Sequence, residues 1–400
     1  PGSDWVLRGG YGVYVGEMGT YELQTGGPFQ VTEEYSNWFE NGVPVLTFEN
    51  GFPASQAAVG VSTATTVDRD YRSGYVQNWN LTVEKSLFTD WGIRLSYLGN
   101  KSTNLPYTYD ANTPLTLSTE EYSADRRPYS GFSYITARSN GANANYHGFE
   151  ASLRHPFRNG LYLQASFSLN RDMSEVGHTS TWGAESQPAF WIDYAYDRAR
   201  EMGKTNAWTK GAFHLNWVYE LPYGKSRKFG SGVSPVLNAI LGDWAVSGVF
   251  VWRSGLPFTP LYWGYDTGGI DQWQGRPNLI QGCDPYTGGK QLGAGAQWYN
   301  PACYAIPAAG TLGTVEVGSL VGPGAWIVSL NPYKTIPITD KLNLQIGARI
   351  TNLLNHPIYG NPSVWVTDPD AGMITGTADM LRAGSGDPIR KIALMGAISF

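Results

Sequence analysis

Long segments in which apolar and polar residues alternate recur along this 400-residue chain. In residues 161–170 (LYLQASFSLN), every second side chain is apolar, and the side chains between them are polar and uncharged. Successive side chains of a β-strand point to opposite faces of its sheet, so this pattern predicts strands with one apolar and one polar face. Ten such strands are predicted, at residues 5–16, 76–88, 91–103, 144–157, 160–173, 205–221, 241–256, 325–337, 341–354 and 390–400.

The lengths of these strands and of their connections indicate a membrane-spanning barrel. Each predicted strand has more than ten residues, whereas soluble strands typically have about five or six and a tilted membrane-spanning strand needs about 9–11. The connections after residues 88, 157 and 337 are short and the one after 221 is of intermediate length, while long polar connections occupy 17–75, 104–143, 174–204, 257–324 and 355–389. Every short turn falls on the side of the C-terminus, as in outer-membrane barrels with short periplasmic turns and long external loops. The predicted fold class is therefore all-β, a transmembrane antiparallel β-barrel.

The composition excludes several other classes of protein. Only 15% of the residues are charged, 14% are aromatic, and the net charge is −5, which is too few charges for a disordered chain and the wrong sign for a nucleic-acid binder. The longest apolar run, residues 244–252, is too short for a membrane-spanning helix of about 20 residues. Composition alone leaves open a large soluble all-β protein. However, the outward-facing candidates are apolar and short of lysine, which is what a lipid solvent selects.

Aromatic residues gather at both ends of the predicted strands, as in the two girdles of an outer-membrane barrel. Those near the short turns are Phe88, Trp91, Phe157, Tyr223, Trp244 and Phe400, and those near the long loops are Trp208, Trp326 and Tyr359. Aromatic residues also favour strands in general, so it is their position at the strand ends that favours the girdles.

Six segments, taken in order, are similar to one known family. They are RGGYGVYVG (8–16), 78–106, 143–175, YELPYGKSRKF (219–229), 240–260 and RITNLLNHPIYGNP (349–362). The series resembles the C-terminal barrel portion of TonB-dependent receptors. It is most similar to the Oar-like group, which carries an N-terminal carboxypeptidase-regulatory-like domain and is abundant in Acidobacteria. The resemblance implies a barrel of about 22 strands with a plugged lumen and a segment that contacts TonB.

The chain departs from that family in its extent. About ten strands are recognisable, without a plug, a TonB box or a signal peptide. We therefore expect residues 1–400 to be a single β-barrel domain, the C-terminal part of a receptor, with the plug and N-terminal domains absent from this chain. A self-contained ten-stranded barrel is the physically allowed alternative. The last strand, which ends in Phe400, resembles the signal read by the outer-membrane barrel assembly machinery.

The alternation also selects candidate functional residues. Titratable residues expected on the polar, lumen-facing side are Glu84, Arg94, Glu150, Arg154, His214 and Arg349. They offer hydrogen bonds to a plug or a passing ligand, although structural lining is the other interpretation of each. Tryptophans in the long external loops have faces that can stack on sugars, polyphenolic ligands or a protein partner; they are Trp182, Trp191, Trp263, Trp273 and Trp298. Packing of these loops on themselves over the barrel mouth is an equally weighted alternative.

Cysteine and acidic residues of the external loops suggest further features. Cys283 and Cys303, the two cysteines of the chain, are expected to pair in the oxidising exterior. The five histidines are scattered without metal-ligand spacing, so no metal site is predicted. Acidic pairs offer oxygens suited to Ca²⁺, although aspartates also form turns; the pairs are Asp266 with Asp271 and Asp368 with Asp370. Apart from this calcium hypothesis, no cofactor is expected.

The sequence contains no recognisable catalytic or phosphate-binding arrangement. There is no GxSxG motif, and PYGKSRKFG (222–230) lacks the GxxxxG of a phosphate-binding loop. Its basic residues are therefore expected in a solvated periplasmic turn. In the same connection, residues 233–241 (VSPVLNAIL) are expected to form one short amphipathic helix.

The alternating strands predict a barrel in the outer membrane of a Gram-negative bacterium. The resemblance implies a TonB-dependent receptor, which takes up an unidentified ligand through a plugged pore. The implied partners are outer-membrane lipid and lipopolysaccharide, TonB, the receptor's own plug and the barrel assembly machinery, and no nucleic acid. A structural or adhesive surface protein without transport is the alternative. An outer-membrane enzyme would need clustered acid–base residues at the loop bases, and since none are recognisable, no enzymatic activity is predicted.

Overall fold

The computed structural model describes residues 4–16, 39–40, 42–44, 47, 62–88, 90–176, 194, 196–205, 209–225, 227–286, 290–339, 342–378, 380 and 389–400. In chain order its strands are β1 (Trp5–Val15), β2 (Phe39–Glu40), β3 (Val43–Pro44), β4 (Ser62–Val67), β5 (Tyr75–Leu87), β6 (Trp91–Asp110), β7 (Phe132–Arg158), β8 (Leu161–Ser174), β9 (Gly203–Lys204), β10 (Gly211–Glu220), β11 (Trp244–Arg253), β12 (Pro257–Phe258), β13 (Tyr262–Trp263), β14 (Gln274–Gly275), β15 (Asn278–Leu279), β16 (Tyr304–Ala305), β17 (Leu320–Val321), β18 (Ala325–Pro337), β19 (Asn343–Thr351) and β20 (Lys391–Ser399). The described helices are α1 (Pro235–Leu241) and the 3₁₀ turns Ala124–Arg126, Arg198–Glu201 and Pro301–Cys303. Within these ranges, no helix has the length and apolar character needed to span a bilayer.

Ten long strands form one antiparallel sheet, which we call the wall. Its order is β1-β5-β6-β7-β8-β10-β11-β18-β19-β20, so each wall strand pairs with the next one along the chain. Two short strands join this sheet outside that path: β4 runs parallel to β7, and β9 pairs with β8. All ten predicted strands are present in the predicted order, which confirms the all-β antiparallel architecture.

The register of the wall keeps its two faces chemically distinct. Large apolar side chains lie opposite one another on adjacent strands, and one such row is Phe167, Phe213, Trp252 and Trp326. A row on the other face contains Thr82, Ser96, Glu150 and Ser168. Because a slip of one residue would exchange the faces, the alternation in the sequence determines this register. The two surfaces are called the apolar face and the polar face below.

The short connections lie at one end of the wall. Residues 88–90, 159–160 and 338–342 join neighbouring wall strands at this short-turn end. Asn159 (φ 52°) and Gly160 (φ 74°) make the two-residue turn between β7 and β8, where two consecutive positive φ angles favour Asn-Gly. The connection from β10 to β11, which contains α1, lies at the same end.

Strands β6 and β7 are longer than the sequence pattern predicts. The alternation predicts one strand that ends at residue 103 and a next one that begins at residue 144, whereas β6 reaches Asp110 and β7 starts at Phe132. Their ladder shifts register between Ser102 and Pro106, and the backbone opposite is irregular at Gly141 (φ 121°). Such bulges let pairing continue through a stretch rich in Asn and Gly that looks like a loop in the sequence.

Other strand ends differ from prediction by a few residues, for local reasons. The expected helix is confirmed as α1, whose Ser234 hydroxyl accepts a hydrogen bond from the Leu237 amide at 3.3 Å. This helix and Asp243 (φ 58°) delay the start of β11 from residue 241 to 244. At the other end of the wall, Asn352 (φ 51°) ends β19 at Thr351 rather than at residue 354.

The main buried apolar cluster lies in the external connections and not in the wall. Among the described residues, no second sheet packs on the apolar face of the wall, so burial occurs where the long loops pack on one another. The connections β11–β18 and β19–β20 supply the ten buried residues of this cluster, which are Phe258, Leu261, Trp298, Tyr299, Cys303, Tyr304, Val315, Leu320, Val364 and Ile374. We call the described residues of 254–324 and 352–378 the external module.

Candidate functional site

All six residues predicted to face the lumen lie on the polar face of the wall. On one neighbouring strand their register partners are Arg94 for Glu84, Ser96 for Glu150, Gln164 for Arg154, Ser166 for His214 and Ala393 for Arg349. On the other neighbouring strand, Glu84 lies opposite Val6 and His214 lies opposite Val251. They therefore share one surface, and that this surface lines a lumen stays a prediction.

Three of the six come together at a cleft near the short-turn end. Glu84, Arg94 and Arg154 line this cleft of about 420 Å³, and its other polar contributors are Asp4, Lys85, Ser86, Ser152 and Gln164. The cleft therefore presents both signs of charge within a small volume. Glu150, His214 and Arg349 lie on β7, β10 and β19 and do not line it.

Glu84 is shared by two arginines. Its Oε1 is 2.8 Å from Nε of Arg94 and its Oε2 is 2.6 Å from Nη1 of Arg8. Sequence reasoning did not select Arg8, which lies opposite Thr82 on the polar face. The alternating pattern of the predicted strand places Arg8 on the face opposite to Leu7, and this signal is enough to identify Arg8 as a polar-face residue.

Trp298 is not available for ligand contact. It is 6% exposed and belongs to the core cluster of the external module. Its indole N–H donates to the carbonyl oxygen of Val321 at 2.9 Å, so both its apolar ring and its polar group are satisfied inside the protein. The prediction for Trp298 is wrong because this side chain is buried by residues distant in the chain, and the local sequence pattern does not reveal such contacts.

Trp263 and Trp273 lie on the surface of the external module, on the hairpin of β13 and β14. They are 58% and 54% exposed. Trp263 meets Trp365 edge to face, with ring centroids 6.4 Å apart, and the Trp273 indole donates to Asp271 Oδ1 at 3.2 Å. Both rings are accessible yet held in place by a neighbour. The other two candidates, Trp182 and Trp191, lie outside the described residues.

A buried arginine connects this hairpin to the wall. Arg127, whose side chain is 6% exposed, pairs with Asp110 at the end of β6 (3.2 Å) and with Asp271 (2.8 Å). Burial acts to lower the pKa of Arg127, but its hydrogen bonds and charge interactions with Tyr122 and the two aspartates raise the pKa above its ordinary value. The guanidinium therefore stays charged, and it fixes the aspartate that holds Trp273.

A second set of contacts joins the external module to the wall through the turn Arg198–Glu201. Arg198 donates to Glu175 at 3.0 Å and to the Gly141 carbonyl at 2.8 Å, both on the wall side. Glu201 pairs with Arg276 of the module at 3.1 Å, and the two side chains are 8% and 5% exposed. A buried ion pair that lost one partner would leave an uncompensated charge, so this contact fixes the position of the module.

The cysteines and acidic residues of the external module make contacts within the protein. Cys283 and Cys303 form a disulfide with 5.4 Å between their Cα atoms. The Asp266 carboxylate accepts hydrogen bonds from the backbone amides of Ile270 (3.0 Å) and Asp271 (2.7 Å), as a turn-forming aspartate does. Among the described residues, no group of three or more His, Cys, Asp or Glu side chains could hold a metal ion.

Comparison with known proteins agrees with this geometry. The family described as outer membrane beta barrel domain matches residues 1–385. The fold is thus that of an outer-membrane β-barrel. The chain belongs to the outer membrane beta barrel domain family, and it resides in the outer membrane of a Gram-negative bacterium. Among curated protein sequences, none matches.

Several solved structures are similar to this chain at low sequence identity. The outer membrane transporter YddB from Escherichia coli is 10% identical over 85% of this chain and 34% of its own, with a TM-score of 0.41. The FrpB iron transporter from Neisseria meningitidis is 9% identical over 84% and 33%, with a TM-score of 0.39. The pyoverdine outer membrane receptor FpvA from Pseudomonas aeruginosa PAO1 is 14% identical over 82% and 30%, with a TM-score of 0.37. The chain spans about a third of the length of these structures.

Proposed function

We propose that this chain supplies part of the wall and the external loops of a TonB-dependent outer-membrane transporter of the Oar-like group. The observation that carries the proposal is the concentration of charge on the polar face, where Arg8, Glu84, Arg94 and Arg154 gather at the short-turn end. Charged side chains facing hydrocarbon are costly, so these groups fit an interior. There they would hydrogen-bond a plug or a passing ligand.

The edges of the wall support a larger barrel. Among the described strands, none pairs with the outer edge of β1 or of β20. In a bilayer every backbone N–H and C=O has to be hydrogen-bonded within the protein. In this proposal, further strands of the same receptor pair with both edges, and a plug fills the lumen.

The remaining surfaces have distinct partners in this proposal. The apolar face contacts outer-membrane lipid and lipopolysaccharide. The barrel assembly machinery reads the last strand, whose terminal Phe400 is 100% exposed. Ligand is captured by the external module, where Trp263 and Trp273 present accessible aromatic faces suited to stacking. The proposal assigns no enzymatic activity to the chain.

A structural or adhesive role without transport is the second candidate. The exposed aromatic side chains that favour it are the same two tryptophans together with Tyr265, which is 51% exposed. Aromatic residues are enriched where proteins bind other proteins, so this surface is compatible with either role. Only the transport hypothesis requires contact with TonB.

The test is binding of the full-length protein, purified in detergent, to the purified periplasmic domain of TonB from the same organism. A transporter is expected to bind it saturably and to lose that binding when its TonB-contacting segment is deleted. Failure of the intact protein to bind TonB would overturn the transport proposal and favour the structural role.

A further inference from the structure

Helix α1 exposes all of its large apolar side chains. Val236 is 69% exposed, Leu237 49%, Ile240 60% and Leu241 51%, and no residue of the helix is buried. Their spacing of one, four and five residues puts the four side chains on one side of the helix. A contiguous apolar surface of this kind indicates an interaction site.

Two side chains from the apolar face of the wall hold the C-terminal end of this helix. Lys334 Nζ donates to the carbonyl oxygens of Asn238 (2.9 Å) and Gly242 (2.6 Å), and Trp244 Nε1 donates to the carbonyl oxygen of Ile240 (2.8 Å). Lys334 and Trp244 are register partners on β18 and β11, and Lys334 is only 6% exposed. The end of the helix therefore covers the apolar face at the short-turn end of the wall.

The rotation of the helix is fixed by its polar side. Asn238 accepts the Lys225 amide at 2.7 Å and donates to Asp243 at 3.3 Å. Arg227 in turn pairs with Asp243 at 3.2 Å and with Glu220 at 2.6 Å. These contacts direct Asn238 into the turn, so the apolar stripe on the other side points away from the protein.

We propose that α1 is an interfacial anchor, whose apolar stripe rests in the phospholipid of the periplasmic leaflet of the outer membrane. The apolar face of the wall is the lipid-facing surface of an outer-membrane barrel, and the helix extends this surface past the strand ends. Amphipathic helices of this type bury their apolar side about 5–10 Å into the boundary between headgroups and acyl chains. Lipid thus covers the stripe as it covers the neighbouring strands.

The residues around the helix also suit a position at the boundary between headgroups and acyl chains. Lys225, whose amide donates to Asn238 of the helix, and Lys228 of the same connection are exposed. Their ammonium groups can approach anionic headgroups. Phe229 is 56% exposed and Ile338, in the next turn of the same rim, is 53% exposed. The inference depends on the outer-membrane location of the chain and not on transport.

The experiment measures the membrane depth of a spin label on the helix. Ile240→Cys in the full-length protein is labelled with a nitroxide after reconstitution in vesicles of phosphatidylethanolamine and phosphatidylglycerol. The two cysteines of the chain are bonded to each other, so they do not compete for the label. Matched controls are Leu81→Cys on the apolar face and Leu292→Cys in the external module, where the native residues are 51% and 60% exposed.

Accessibility to oxygen, which partitions into lipid, is compared with accessibility to a water-soluble nickel chelate by power saturation. We expect the Ile240→Cys label to resemble the Leu81→Cys label, protected from the chelate and about 5–10 Å below the phosphates. A label as accessible to the chelate as that of Leu292→Cys would overturn the proposal, since the stripe would then face water. Val236→Cys, at the other end of the stripe, repeats the measurement if the first variant does not fold.

Discussion

At the scale of single residues, Glu84 is the group on which the charge arrangement of the cleft depends. It accepts hydrogen bonds from two arginines whose side chains are 60% and 61% exposed, while its own side chain is 21% exposed. Because the carboxylate lies between Arg8 and Arg94, its removal would leave two guanidinium groups facing each other. The effect of salt on this cluster should therefore depend on Glu84.

We expect Glu84→Gln to destabilise the wall at low ionic strength and to reverse its response to salt. Added salt screens the attraction in the native cluster but screens the Arg8–Arg94 repulsion in the variant. Urea unfolding in vesicles at two salt concentrations measures this. Arg349→Gln, which removes a charge from the same face in a distant strand, should leave the native salt response in place. An identical salt response of Glu84→Gln and the native protein would contradict the claim that Glu84 compensates the charges of Arg8 and Arg94.

Two tryptophans of the external module should differ sharply in their contribution to stability. Trp298 is 6% exposed and Trp263 is 58% exposed. Truncation of the buried ring to alanine should cost about 3–5 kcal/mol, whereas truncation of the exposed ring should change the free energy of unfolding by about 0.5 kcal/mol or less. Pulse proteolysis of the external module in urea compares the two variants directly. Equal losses would mean that Trp298 is not a core residue.

The external module should lose stability on acidification through His356. This ring stacks on Trp326 with centroids 3.9 Å apart, and burial lowers the pKa of His356. A histidine whose folded pKa lies below its unfolded value, about 6.5, stabilises the fold fully above that pH and loses this contribution as the pH falls.

His356→Phe, which keeps a stacking ring but does not titrate, tests this expectation. Thermal unfolding between pH 7 and pH 5 should show a smaller loss for the variant than for the native protein. The opposite order, with the variant more sensitive to acid, would be incompatible with the lowered pKa.

The sequence predicts residues of the wall far better than residues of the loops. Within a strand, the face of Glu84 or His214 follows from its position in a period of two. In the external module no such period exists, and burial of Trp298 depends on partners such as Val321 and Phe258 that are far away in the chain. The same limit applies to Arg127, whose ion pairs join residues 110 and 271.

At the scale of elements, Lys334 determines where α1 lies. It is a buried cation on the apolar face, and it donates to two carbonyls in the last turn of the helix. Carbonyls at a helix C-terminus carry partial negative charge and lack partners within the helix. The lysine satisfies these carbonyls, and their partial charge compensates the ammonium group.

We expect Lys334→Met to loosen α1 without disturbing the wall. Methionine fills a similar volume but donates no hydrogen bond. Hydrogen bonds from a charged group contribute about 1.5–3 kcal/mol, so their loss should raise the equilibrium constant for local opening of α1 roughly tenfold or more. Hydrogen exchange of amides 238–242 should accelerate accordingly. Lys391→Met, on the exposed surface of β20, is the control that should leave these amides unchanged. Native exchange rates in Lys334→Met would show that the helix is held by other contacts.

A strand is easier to predict when its alternating sequence pattern is longer. Ten long alternating segments and the Asn159-Gly160 turn identify the wall and its register. The extension of β6 and β7 escapes prediction because a bulge breaks the period at Gly141. The two-residue strands β12 to β17 are shorter than any periodicity can detect, and they form only because the loops around them pack together.

At the scale of the whole molecule, the wall and the external module have different physical roles. The wall separates an apolar face, which a bilayer can solvate, from a polar face that carries Arg8, Glu84, Arg94 and Arg154. The cations Lys85 and Lys334 lie on the apolar face near the short-turn end. The external module has its own apolar core, and the buried ion pairs of Arg127 and Arg276 tie it to the strand ends and to the neighbouring loop. The order of the wall strands is predictable because each one pairs with the next along the chain. The ligand of such a barrel is not predictable, because the loop sequences have no regular pattern.

The central claim is that the polar face of the wall meets water and the apolar face meets lipid. The most direct measurement is cysteine scanning of β8 in full-length protein in outer-membrane vesicles, with a small charged thiol reagent. Cysteines replacing Gln164, Ser166 and Ser168 should react, while those replacing Leu163, Ala165 and Phe167 should be protected. Equal reactivity at all six positions, or reaction at the odd positions alone, would contradict this claim.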